Sequence, residues 1–227
     1  MPKRKLKKYA ENHTFNHLIQ PAFDEVKKGL EWKGKWASEF FGNTNPIVLE
    51  LGCGKGEYTV GLAEVNPKKN FIGVDIKGAR LWTGCKQVSE KGLKNTAFIR
   101  TDIGLIDQCF SNDEISEIWI TFPDPQPKKR KEKKRLTSPG FLSKYAHFLK
   151  SNAVIHLKSD NLKFFNYSLK IIESGNHHLH YATSDLYHSD YHGEANNIKT
   201  YYEEQFLKKG FQICYLKFSL NKNTNNY

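Results

Sequence analysis

The segment Leu49-Glu50-Leu51-Gly52-Cys53-Gly54-Lys55-Gly56 sets an acid two residues before three alternating glycines, after the apolar run Ile47-Val48-Leu49. Glycines at this spacing let a chain turn sharply and approach a ligand with no Cβ in the way. A dinucleotide loop needs Gly-x-Gly-x-x-Gly, which seats a pyrophosphate on a helix N-terminus. Here the spacing differs, and a carboxylate at Glu50 repels a pyrophosphate but suits a cation. S-adenosylmethionine carries a sulfonium and an ammonium, has no phosphate and offers a free ribose. The loop therefore reads as a site for that cofactor, with Glu50, Gly52 and Gly54 in the binding set. The plain alternative is a tight glycine turn in another α/β protein. Asp75 closes the next apolar run, Phe71-Ile72-Gly73-Val74, where an acid can take ribose hydroxyls.

A second constellation is Phe122-Pro123-Asp124-Pro125-Gln126-Pro127-Lys128. Prolines on both sides of Asp124 fix the backbone and present the carboxylate rigidly. Taken alone, the segment also fits a turn that merely ends a strand. Lys128 to Arg135 then carries seven basic residues in eight, and the stretch before residue 9 adds five more. With a net charge of +11, the chain expects a polyanionic partner, nucleic acid before membrane.

These residues need a scaffold. Apolar runs at 47–51, 70–75, 97–100, 118–122 and 153–157 read as strands, with a sixth at 180–183. Helical spacing covers 57–65, 79–91, 141–149 and 161–174, and Trp32, Trp36, Phe40 and Phe41 share one helical face. Residues 211–219 alternate apolar and polar and suit an outer antiparallel strand. Alternating strands and helices predict an α/β, doubly wound Rossmann-like sheet, mostly parallel with an antiparallel C-terminal strand. Such sheets bind ligands at the carboxyl ends of their strands. Glu50, Asp75, Asp102, Asp124 and Asp160 all fall at such ends. Gathering like charges costs energy, so five converging acids argue for a ligand.

The chain's 227 residues suffice for one domain, expected over 21–220, after a flexible basic arm at 1–20 and before a polar tail at 221–227. No apolar run reaches the length of a membrane span, and no apolar stretch follows the basic N-terminus as in a secretory signal. Cys53, Cys85, Cys109 and Cys214 are scattered and read as reduced thiols of a cytoplasmic protein. The histidines at 177–192 include His188-x-x-x-His192, but no Glu follows His188 as in a zincin, and no metal is expected.

Taken together, these motifs resemble the bacterial tRNA (guanine-N7-)-methyltransferase family, over about residues 45–218. The resemblance rests on Leu49 to Gly54, Phe71 to Asp75, Arg100-Thr101-Asp102, and Phe122-Pro123-Asp124-Pro125 with its Lys-Lys-Arg. Lys158-Ser159-Asp160-Asn161 and Thr200-Tyr201-Tyr202-Glu203 extend it. It implies a class I methyltransferase that transfers a methyl group from S-adenosylmethionine to guanine N7 of tRNA, at guanine 46 of the variable loop. Glu50, Asp75, Asp102 and Asp124 would line the cofactor site, with Asp124 also catalytic. Lys128, Asp160, Thr200, Tyr201, Tyr202 and Glu203 would face the guanine or nearby RNA. The protein would be a monomer or homodimer.

Three positions depart from the family pattern: Asp75 stands where Glu is frequent, and Gln126-Pro127 replaces Trp-His. Neutralising Lys133, Lys134 and Arg135 should weaken tRNA binding through lost phosphate contacts. Tyr201 or Tyr202 can stack on a flipped base, although packing is the commoner fate of such rings. The rival readings are an exocyclic-amine nucleic-acid methyltransferase and a non-catalytic RNA-binding protein on the same fold.

Overall fold

The computed structural model describes residues 3–222, with the side chains of Lys3 and Arg4 left aside. The core strands form around short apolar runs. They are β2 (Ile47–Leu51), β3 (Asn70–Val74), β4 (Thr96–Ile99), β5 (Ile115–Thr121) and β6 (Leu149–Ser159). To these runs β5 and β6 add polar residues at their N-terminal ends. All five run parallel, with helices crossing over both faces. β1 (Leu18–Ile19) adds a parallel edge, and β7 (His178–Thr183) and β8 (Cys214–Ser219) add antiparallel pairings. The sheet order is β1-β4-β3-β2-β5-β6-β8-β7.

This order fixes where a ligand can sit. From β2 the chain goes outward to β3 and β4, then returns across to β5 and β6. The carboxyl end of β2 is therefore the switch point, and the glycine loop leaves the sheet there.

Side chains alternate between two packed faces. Leu49, Leu51, Ile72, Val74, Ile118, Ile120, Ile155 and Leu157 pack against Trp36, Phe148 and Phe164 on one side. That side is covered by α5 (Pro139–Phe148) and α6 (Leu162–Ser174). Val48, Phe71 and Trp119 face the other way, onto Tyr58 and Leu62 of α3 (Glu57–Val65). Phe98 packs there too, against Leu81, Cys85 and Val88 of α4 (Gly78–Lys91). The alternation puts Glu50 on the α3 side. Gly92, in a left-handed conformation, ends α4 as expected from the sequence.

Three segments differ from expectation. Residues 3–19 form elements where a flexible arm was expected: α1 (Lys3–Asn12) packs on α4, and β1 pairs with β4. Trp82 donates to Glu11, and Lys8 sits over the Trp82 ring, so apolar and aromatic surface of α4 recruits the basic helix. β8 is not an outer strand. It lies between β6 and β7, and Cys214, Tyr215, Leu216 and Phe218 are all buried. Trp32, Trp36, Phe40 and Phe41 do cluster, but only Trp36 and Phe40 lie on a helical turn, the π-helical Trp36–Phe40, which follows the short α2 (Phe23–Lys27). Residues 223–227 of the expected tail, like Met1 and Pro2, lie outside the described residues. Among the described residues no helix is long and apolar enough to cross a membrane.

Candidate active site

The glycine loop has φ of +77° at Gly52, +57° at Gly54 and +73° at Gly56, a region that L side chains rarely enter. At Gly56 a Cβ would also meet the Phe98 ring at 2.7 Å, so glycine is needed twice over. Asp75 holds the loop. Its carboxylate accepts from Gly54 N–H at 3.0 Å and from Lys77 N–H at 2.7 Å.

Glu50 is 3% exposed and clamps three elements from below. It accepts from Thr59 N–H at 2.8 Å, from the Thr59 hydroxyl, and from the Thr121 hydroxyl at 2.6 Å. Burial pushes its carboxyl up to about 7, against the pull of the Thr121 and Thr59 hydrogen bonds.

A cavity of about 480 Å³ opens beside Asp75. Ile76, Thr101, Asp102, Ile103 and Gln126 line it, and Lys133 and Lys134 stand at its wall. Asp102 caps the 3₁₀ turn Ile103–Gln108 by accepting from Gly104 N–H at 2.8 Å. An acid at the end of β3, two isoleucines and an acid at the end of β4 match a ribose, an apolar base face and an amine edge. The chemistry of this donor set fits an adenosine. A smaller recess of about 90 Å³ lies over the glycine loop. Gly52, Gly54, Arg80, Thr121, Phe122, Thr200 and Tyr202 line it.

The turn carrying Asp124 bridges the two, since Phe122 lines the recess and Gln126 the cavity. Phe122 and Gln126 both hold positive φ, +48° and +46°, unusual for residues with a Cβ. Asp124 is exposed, and one carboxylate oxygen accepts from Gln126 N–H at 2.9 Å. Lys128 is exposed just beyond it, before the 3₁₀ segment Lys129–Lys134. Arg135 departs from the expected phosphate-facing row. Its side chain is only 14% exposed, and it donates inward to the carbonyls of Pro125 at 3.2 Å and Gln126 at 3.3 Å. The polar turn, stripped of N–H donors by its prolines, offers those carbonyls to the guanidinium.

Asp160 follows β6, half-buried, with burial raising its carboxyl. After the short α7 (Glu194–Asn197), Thr200 caps α8 (Tyr201–Lys208): its hydroxyl accepts from Glu203 N–H, and Glu203 reaches back to Thr200 N–H. Thr-x-x-Glu is a capping-box signature, so the sequence itself marks the start of this helix. Tyr201 and Tyr202 are about half exposed, at 51% and 48%, and Lys55 lies over the Tyr201 ring. They are therefore not core packing. Glu203 departs from the expected guanine-facing role. It is fully buried, ion-paired with Lys158 at 2.7 Å and accepting from the Tyr187 hydroxyl at 2.7 Å. Lys158, which sequence reading left without a role, also donates to the carbonyls of Ala195 and Ile198. Burial lowers its ammonium, and Glu203 partly restores it.

Solved structures share the architecture. The chain aligns with the 16S rRNA methyltransferase KamB at a TM-score of 0.62 and 12% identity, covering 81% of this chain and 92% of that one. An antibiotic-related methyltransferase aligns at 0.60 with 15% identity, covering 90% and 96%. Sheet order and glycine loop together give the class I methyltransferase architecture.

Residues 44–216 match the model of a family described as "Putative methyltransferase". A tRNA (guanine-N(7)-)-methyltransferase of Christiangramia forsetii is 50% identical over 96% of this chain and 98% of its own. Its namesake in Bacteroides fragilis is 51% identical over 97% and 87%. The chain belongs to the tRNA (guanine-N(7)-)-methyltransferase family.

Proposed function

We propose that the enzyme methylates N7 of guanine 46 in the variable loop of tRNA. The observation that carries this reading is the Asp124 turn, set between the cavity beside Asp75 and the recess that Thr200 and Tyr202 help to line. The half-exposed tyrosines and the basic run beside that turn supply stacking faces and phosphate contacts for RNA. The relatives' shared name points to the same acceptor atom.

S-adenosylmethionine supplies an electrophilic methyl group on a sulfonium. Asp75 would take its ribose hydroxyls, Asp102 the amine edge of its base, and the Gly52–Gly54 backbone its amino-acid portion. Guanine N7 is a lone pair with no proton to lose, so the protein's task is alignment, which can be worth roughly 7–11 kcal/mol. Positive charge passes to the purine during transfer, and the rigid Asp124 carboxylate stabilises it or orients the guanine. Asp160 accepts from the guanine N1 and N2 edge. Lys128 and its neighbours hold phosphates. Every residue of this set lies on one chain, so a monomer suffices and a homodimer is compatible. The reaction belongs in the cytoplasm, with tRNA.

An exocyclic amine is the rival acceptor, and one experiment separates them. Unmodified tRNA is incubated with labelled methyl donor, then treated with borohydride and aniline. Cleavage at one variable-loop guanine, lost with Asp124→Ala, is expected. Methyl incorporation without cleavage would move the assignment to an exocyclic amine.

A further inference from the structure

The turn that presents Asp124 closes on itself through one hydrogen bond, from Gln126 N–H to the Asp124 carboxylate at 2.9 Å. Pro123, Pro125 and Pro127 donate no backbone hydrogen bonds. Phe122 and Gln126 sit at positive φ, so the turn's shape must be imposed by its surroundings. At its entry, Phe122 N–H donates to Lys158 O at 2.9 Å. At its exit, the carbonyls of Pro125 and Gln126 both receive the Arg135 guanidinium, through Nε and Nη2. That guanidinium lies 4.2 Å from the centre of the Tyr167 ring on α6 and 3.6 Å from Glu132. It is fixed on two sides before it reaches the turn.

We propose that Arg135 is a positioning residue for Asp124. It is the last member of the basic run, yet it is the one turned away from solvent, toward the turn. A planar fork donates to two adjacent carbonyls at once, which an ammonium on a flexible stem does not reproduce. Arg135 also terminates the Lys129–Lys134 segment, whose Lys133 and Lys134 border the same cavity as Gln126. One residue thus joins the RNA-facing segment to the residue that faces the reacting base. The inference rests on the role given to Asp124 above.

The test compares Arg135→Lys and Arg135→Gln with the double variant Lys133→Ala/Lys134→Ala in the full-length enzyme. Hydrogen exchange of the peptide spanning 121–128 is measured in the free enzyme, and tRNA methylation is followed over a range of salt. For Arg135→Lys we expect faster exchange confined to that peptide and at least a tenfold lower kcat. The KM for tRNA and its salt dependence should stay within twofold. The double variant should leave exchange in that peptide unchanged. A log–log salt slope reduced by about one in Arg135→Gln, which removes the charge, would make the residue a phosphate contact and overturn the proposal. So would unchanged exchange in the turn, or exchange raised throughout the chain. If the wild-type enzyme leaves guanine N7 unmodified, the functional reading fails, and the exchange data still decide whether Arg135 holds the turn.

Discussion

Lys158 Nζ lies 2.7 Å from Glu203 Oε1, and neither side chain is exposed at all. The pair pins the capping-box end of α8 to the carboxyl end of β6, beneath the recess that Thr200 and Tyr202 line. A buried ion pair is costly to break from one side, because the survivor keeps its charge without water. Lys158→Met should lower stability by roughly 3–5 kcal/mol, whereas Lys158→Met/Glu203→Leu should recover most of that loss. Urea unfolding midpoints of the two variants check this. Equal destabilisation in both would mean that packing, not charge, holds α8.

Asp75 governs the glycine loop through Gly54. A hydrogen bond to a charged acceptor is worth about 1.5–3 kcal/mol. Asp75→Ala should therefore weaken S-adenosylmethionine binding by roughly ten- to a hundredfold through the loop alone, with further loss from the ribose contact. Calorimetric titration with the methyl donor measures it. An affinity within twofold of wild type would remove Asp75 from the binding set.

The Glu50 carboxyl, pushed up to about 7 by burial, makes stability depend on pH. Its folded value lies above the ordinary 4.5, so between these values the folded protein holds a proton that the unfolded chain has released. The stabilising contribution is full below about pH 4.5 and is lost as pH rises through 7. Melting temperatures of the wild type and Glu50→Gln, compared from pH 4.5 to 8, should differ by an amount that changes across this window. A constant difference would place the Glu50 titration outside it.

Lys133 and Lys134 face the cavity wall near solvent, unlike Arg135. Each phosphate contact contributes about 0.7–0.9 to the log–log salt slope of nucleic-acid binding. Lys133→Ala/Lys134→Ala should weaken tRNA binding and flatten that slope by roughly 1.5. Filter binding across a salt series reads both. An unchanged slope would leave this segment a solvated face.

The amino-acid sequence by itself determined the sheet and its acidic edge. Apolar runs such as Ile47-Val48-Leu49 and Ile118-Trp119-Ile120 specify buried parallel strands locally. Each acid's place at a strand end follows from counting along the chain. The same holds for the glycine loop, whose conformation depends on residue type at three neighbouring positions. Tertiary structure alone decided which polar side chains turn inward and which stay accessible. Glu203 turns inward because Lys158, 45 residues earlier in the chain, waits beneath it. Arg135 leaves the basic row because the proline turn offers it two adjacent carbonyls. Residues 3–19 join the fold because α4 and β4 present surfaces to them. A side chain's direction is set by partners distant in sequence, and no local pattern encodes those.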